Sequence, residues 1–196
     1  MRCQHRILMH KQHSTSQVRI IGGTFRSRKI IFAEESALRP THDRIRETLF
    51  NWLRDRIENS ACLDAFAGSG ALGFEALSRG AKHVTFIDTS STAIQYLKQN
   101  AATLKINNAE FLQNDFTLTE LVRKFDIVFL DPPYQKNYLL KSVELLLSRN
   151  LLNKNALIYF ECEKNSVDFK TLPREFEIIK HKKTKTIEYG MLRCLI

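Results

Sequence analysis

Between Ala61 and Phe160 short apolar runs alternate with longer segments of helical spacing, and that alternation fixes the fold class. The runs are Cys62–Phe66, His83–Ile87, Glu110–Gln113, Asp126–Leu130 and Leu157–Phe160, with helices predicted near 70–79, 90–105, 117–124 and 138–148. Parallel strands need crossovers, and the crossover helices cover both faces of the sheet, so nearly continuous apolar strands are expected. The chain therefore reads as α/β. Phe176–Ile179 and Met191–Ile196 have no helix between them, which predicts an antiparallel edge pair closing the sheet.

A chain of 196 residues, 43% hydrophobic and 26% charged, suits one domain with a small extension. No apolar stretch approaches the ~20 residues of a membrane span, and the basic start has an apolar part of only Ile7-Leu8-Met9 with no cleavage site after it. A soluble protein without an export signal is expected. Cys3, Cys62, Cys162 and Cys194 lack paired spacing, and the last three lie in strand-like runs, so free buried thiols in a reducing cytoplasm are expected. The histidines show no ligand spacing, and no metal is expected.

The net charge of +9 points to a polyanionic partner, and most of the excess lies within residues 1–56. The bland alternative is a solvated face that keeps the chain soluble. Residues 1–16 are polar and aperiodic, as in a flexible tail. Residues 17–38 read as a basic β-hairpin extension outside the core, with strands Val18–Ile21 and Arg28–Phe32 joined through Gly22-Gly23. Residues 39–196 form the main domain, opening with a helix in which Ile45, Leu49, Trp52, Leu53 and Ile57 share a face and Thr41 or Asp43 caps the start.

Asp64-Ala65-Phe66-Ala67-Gly68-Ser69-Gly70-Ala71-Leu72-Gly73 lies between the first core strand and a helix. Gly68 and Gly70 permit positive φ and close approach of a ligand to the backbone. The pattern Gly68-x-Gly70-x-x-Gly73 also matches a dinucleotide fingerprint, so a nicotinamide or flavin enzyme is a rival. Asp64 favours S-adenosylmethionine instead, because its carboxylate suits an ammonium and repels a pyrophosphate. Asp88 ends the second strand, placed to accept from ribose hydroxyls. Asp115 follows the third, with Phe116 beside it to pack on an adenine ring. Asp64, Phe66, Gly68, Ser69, Gly70, Asp88, Asp115 and Phe116 are the expected donor-binding residues; taken singly, each acid reads equally well as a cap or loop carboxylate.

Asp131-Pro132-Pro133-Tyr134 follows the apolar run Phe125–Leu130. An exocyclic aromatic amine is a poor nucleophile because its lone pair is delocalised. The Asp131 carboxylate and the Pro132 carbonyl can both accept its N–H bonds and stabilise charge as a methyl arrives. Pro132 and Pro133 hold these acceptors rigid, and Tyr134 offers a face for the base. The corner alone does not choose among adenine N6, guanine N2 and a glutamine amide. Its bland reading is a Pro-Pro strand end with Tyr134 as filler.

With these residues in view the chain resembles the RsmD family of 16S ribosomal RNA guanine-N2 methyltransferases. The resemblance runs from about Val18 to Ile196 and rests on Arg19-Ile20-Ile21-Gly22-Gly23, on Arg39-Pro40-Thr41-His42-Asp43-Arg44-Ile45-Arg46-Glu47, on the glycine turn and on Asp131-Pro132-Pro133-Tyr134. It implies a Rossmann-like class I methyltransferase fold with a seven-stranded, mostly parallel sheet, an antiparallel edge pair and the N-terminal hairpin. It also implies S-adenosyl-L-methionine as donor and a guanine of 16S rRNA as acceptor, in an assembled or partly assembled 30S subunit. Ser27 departs from the family, whose members often carry glycine there. Arg19, Arg26, Arg28, Lys29, Arg39, Arg44 and Arg46 are the expected RNA contacts, though Arg44 or Arg46 can instead pair along its helix with Asp43 or Glu47. Nothing in the sequence marks a self-association face, and a monomer is expected. The rival activities are DNA adenine-N6 methylation and a non-catalytic RNA-binding assembly factor.

Overall fold

The computed structural model describes residues 14–34, 43–133 and 138–196. The strands β3 (Ala61–Asp64), β4 (His83–Asp88), β5 (Ala109–Gln113), β6 (Phe125–Leu130) and β7 (Leu152–Glu163) are parallel, and β8 (Phe176–Lys183) and β9 (Ile187–Cys194) are antiparallel. Their order is β5-β4-β3-β6-β7-β9-β8, a seven-stranded sheet whose strand order reverses between β3 and β6. Ligands of open α/β sheets bind outside the carboxyl ends of the strands at such a reversal.

Burial on both faces explains why the strands are apolar throughout. Along β6, Ile127 and Phe129 face one buried cluster and Val128 and Leu130 the other. The helices α1 (Asp43–Trp52), α2 (Ala71–Ser78) and α3 (Ser91–Leu104) cover the first face, and α4 (Tyr138–Ser148) the second. Ser90 caps α3, its Oγ accepting from the Ala93 N–H at 3.2 Å. No helix among the described residues is long and apolar enough to cross a membrane. Cys62, Cys162 and Cys194 are buried free thiols, and Cys3 lies outside the described residues.

The helix expected over 117–124 is absent and must be corrected to a single 3-10 turn over Phe116–Leu118. The guanidinium of Arg149, just past α4, donates to the Thr117 carbonyl at 2.7 Å and to the Thr119 carbonyl at 2.8 Å. Those oxygens would otherwise accept the next helical turn's N–H groups. Thr119 Oγ1 also donates to the Asp115 carbonyl at 2.7 Å, a local bond that competes with helix.

The hairpin forms from β1 (Thr15–Arg19) and β2 (Lys29–Ala33), so Thr15 and Ser16, expected in the tail, are paired strand residues; positions 1–13 lie outside the described residues. Its inner face is also part of the core, contrary to expectation: Val18, Ile20, Ile30 and Phe32 belong to the same buried cluster as α1, α2 and α3. Polar bonds fix the docking. Glu75 of α2, fully buried, accepts from the Ile21 and Gly22 N–H groups at 2.7 and 2.8 Å and from Arg79 Nε at 2.7 Å. Asn100 of α3 accepts from the Ile31 N–H at 3.0 Å and donates to its carbonyl at 2.8 Å. Gly23 has φ of 76°, and an added Cβ would collide with the Ser78 carbonyl. Ser27 adopts φ of 69°, the left-handed region that favours glycine.

Candidate active site

Asp64, the loop after it, Asp88, Asp115 and Asp131 all stand at the carboxyl edge of the sheet, where β3, β4, β5 and β6 end. The glycine loop is tied to its neighbours by carboxylates. Asp88 Oδ2 accepts from the Gly68 N–H at 2.7 Å, and Oδ1 from the Ser90 N–H at 2.8 Å. Each oxygen of a carboxylate keeps a further acceptor site after one such bond. Gly70, with φ of 76°, turns the chain into α2, and a Cβ there would press on the Phe74 ring at 2.8 Å. Ser69 is buried in the same turn.

Asp64 is only 3% exposed, and its Oδ2 accepts from the Gly73 N–H at 3.0 Å. Burial, and secondarily the charge of Asp88, push its carboxyl up to about 7 against the pull of that bond. A buried acid poised near neutrality beside a ligand loop is what an ammonium-bearing ligand would ionise. Asp115 is the opposite case. The Thr117 hydroxyl and N–H, each at 2.7 Å, and the Tyr138 hydroxyl at 3.4 Å hold it below the ordinary carboxylate range.

Phe116 requires correction. Its ring is 1% exposed and packs in the second core cluster, edge-on to Phe66 at 5.8 Å between centroids, so it presents no face to a ligand. The half-buried Phe66 lies over it and against Tyr138 at 5.5 Å, and is the aromatic ring nearer the surface.

On the acceptor side β6 ends at Leu130, which pairs with Phe160 of β7. Asp131 is half-buried, Pro132 buried and Pro133 exposed; Tyr134 lies outside the described residues. One strand over, the Tyr159 hydroxyl donates to Glu161 Oε2 at 2.9 Å, and Glu161 itself is 5% exposed. Burial first, and then the charges of Glu161 and Asp131, push the Tyr159 phenol well up. Tyr159 and Glu161 were missed in the sequence. The available signal was the one used elsewhere on this edge, an acid at the carboxyl end of a predicted strand, since Glu161 directly follows Leu157–Phe160.

The basic residues divide. Arg46 is fully buried, which corrects the expectation that it meets RNA: its Nη2 donates to the Arg19 carbonyl at 2.9 Å and to Asp43 Oδ1 at 2.7 Å. The helix-pairing alternative holds for it. Arg19, Arg26, Arg28, Lys29 and Arg44 are exposed, and Arg39 lies outside the described residues with Thr41 and His42. Arg26 and Arg28 are not brought to the carboxyl edge. α2 runs from the glycine loop to the opposite edge, and the hairpin turn is fastened at its far end, where the Thr24 N–H meets the Ser78 carbonyl at 2.7 Å and the Phe25 N–H meets Ser78 Oγ at 2.8 Å.

Comparison with known proteins agrees with this geometry. The family model described as conserved hypothetical protein 95 matches residues 18–193. Ribosomal RNA small subunit methyltransferase D of Haemophilus influenzae is 45% identical over 186 residues, covering 91% of this chain and 95% of its own. The Escherichia coli protein of the same name is 43% identical over 183 residues, covering 91% of each. A solved structure of the Escherichia coli chain yhhF superposes with a TM-score of 0.83 at 40% identity, covering 92% of this chain and 99% of that one. With a match over almost the whole length, on a sheet of this order with its acids gathered at one edge, the chain belongs to the RsmD family of small-subunit ribosomal RNA methyltransferases.

Proposed function

We propose that this rRNA methyltransferase transfers a methyl group from S-adenosyl-L-methionine to the exocyclic N2 amine of one guanine in 16S rRNA, in an assembled or partly assembled 30S subunit. The fit of the donor rests on the Gly68–Gly70 turn, whose glycines have φ of 49° and 76°, and on the acids around it. Asp64 would face the donor's ammonium, Asp88 its ribose hydroxyls and Asp115 its adenine amine, with Phe66 rather than Phe116 beside the ring. When bound, the donor supplies an electrophilic methyl group. Asp131 and the Pro132 carbonyl accept the N–H bonds of the incoming amine, orient its lone pair and stabilise the positive charge that develops on nitrogen. Pro132 and Pro133 fix those acceptors before the base arrives. Tyr134 completes the corner as a stacking face.

Guanine over adenine is supported by two carboxylates on adjacent strands, Glu161, which accepts from the Tyr159 hydroxyl, and Asp131, which follows the Leu130–Phe160 pair. Guanine presents two adjacent donors on its pairing edge, N1–H and N2–H2. Adenine offers its N6 amine beside the bare N1 lone pair, which a carboxylate repels. Asp131 therefore takes N2–H and Glu161 takes N1–H. Extruding the base costs a few kcal/mol, less from a loop than from a duplex. Exposed Arg19, Arg26, Arg28, Lys29 and Arg44, with Arg39, are proposed to meet rRNA phosphates. A monomer acting in the cytoplasm completes the reading.

The test is incubation with donor and 30S particles, naked 16S rRNA or DNA, followed by nucleoside mass spectrometry. N2-methylguanosine from 30S particles is expected. N6-methyladenine from DNA would replace the reading with its nearest rival, and donor binding without any product would point to a non-catalytic assembly factor.

A further inference from the structure

We infer that the β8–β9 hairpin carries a phosphate-binding surface for the RNA flanking the target nucleotide, built from Lys180, Lys182 and Lys185. The inference rests on the rRNA substrate and adds where the strand runs. β9 is antiparallel to β7, with Glu163 opposite Ile187, so the turn at 184–186 stands on the same sheet edge as Asp131. The register then gives one lateral row. Glu161 pairs with Tyr189, Tyr189 pairs with Lys182, and Asp131, one past the Leu130–Phe160 pair, stands level with Glu161. At ~4.8 Å per strand, Lys182 lies roughly 14 Å from Asp131 along the sheet, on the side away from the glycine loop.

The lysines are held as a surface. Lys182 Nζ sits 5.7 Å from the centroid of Trp52, and that indole stacks on Tyr189 at 5.9 Å and 21°, so the lysine stem is laid on an aromatic platform. Between Lys180 and Lys185 the chain has Lys180, His181, Lys182, Lys183 and Lys185 and no acid. Buried Glu188 takes His181 at 2.8 Å and Lys183 at 2.9 Å, on the other face of the hairpin. Among the described residues no carboxylate pairs with Lys180, Lys182 or Lys185, and all three are exposed. Unneutralised ammonium groups, Lys182 level with the acceptor corner and Lys180 and Lys185 to either side of it along the hairpin, suit a polyanionic strand whose target base is turned into that corner. Arg26 and Arg28, fastened at the far end of α2, do not reach this path.

Equilibrium binding of the full chain to 16S rRNA, measured without donor across a salt series, tests the surface separately from turnover. K180A/K182A/K185A is expected to bind at least tenfold more weakly, with the slope of log K against log salt reduced by about 2, near 0.7 for each phosphate left unneutralised. Its affinity for S-adenosyl-L-methionine should stay within twofold, showing that the fold is retained. Arginine at the same positions should restore RNA binding. K82A/K98A/K154A, which removes equal charge elsewhere on the surface, should weaken it by less than threefold. Lysine-hairpin binding within twofold of the parent, or an equal loss in K82A/K98A/K154A, overturns the inference. Absence of methylated product from the parent chain would instead count against the activity.

Discussion

The Tyr159 hydroxyl donates to Glu161 at 2.9 Å, on the strand beside the one that Asp131 follows. Burial keeps the phenol protonated, so its proton points at the carboxylate and orients it. In the proposed reading this carboxylate accepts a donor on the base and repels a lone pair.

Glu161→Gln replaces a charged acceptor with an amide that must also place two N–H groups. Hydrogen bonds to charged groups are worth about 1.5–3 kcal/mol, so kcat/KM for 30S particles should fall roughly tenfold to a hundredfold. Donor affinity, measured by calorimetry, should not change. An unaltered kcat/KM removes Glu161 from the acceptor pocket.

The proposed pairing of Asp64 with the donor's ammonium would give the free protein and its donor complex opposite pH dependences. Its carboxyl is raised from 3.8 to about 7 on folding, so the folded chain holds a proton there that the unfolded chain has released. That contribution to stability is complete below about 4 and is lost as pH rises through about 7. The donor's ammonium needs the ionised form, so donor affinity should fall about tenfold for each pH unit below 7. Calorimetric titrations between pH 5 and 8 measure this. Asp64→Asn should flatten the profile, and a profile already flat in the parent chain would contradict the pairing.

Glu75 holds the hairpin by accepting two hydrogen bonds, from the Ile21 and Gly22 N–H groups, and it accepts a third from Arg79 at the end of its own helix. Glu75→Ala leaves those donors unmatched in a dry site and should cost about 3–5 kcal/mol. For a chain of this size that is ~6–20 °C in Tm. Amide exchange should quicken at Ile21 and Gly22 before it does in β6. Unchanged exchange there would show that the apolar face alone docks the hairpin.

Much of this was legible in local sequence. The strand and helix alternation located β3, β4, β5, β6 and β7, and the acids at strand ends located Asp64, Asp88 and Asp131 on one edge. What escaped depends on partners distant in the chain. Arg149 unmakes the helix after Phe116 by taking the Thr117 and Thr119 carbonyls, and no pattern within 117–124 signals it. Arg46 reads as a surface charge on its helix but is covered and bonded to Arg19 and Asp43. Gly22-Gly23 reads as a turn, whereas its seat on Glu75 and Ser78 needs residues more than fifty positions away. Glu161 reads as an ordinary strand residue until β6 and β7 are set side by side.

The proposed catalytic role of Asp131 is tested most directly by Asp131→Ala, read as donor affinity and single-turnover methylation of 30S particles by the same preparation. Expected is a donor Kd within about twofold of the parent and a methyl-transfer rate lower by about 10²–10³, the usual loss for one preorganised group facing a developing charge. A rate within about threefold of the parent would contradict it.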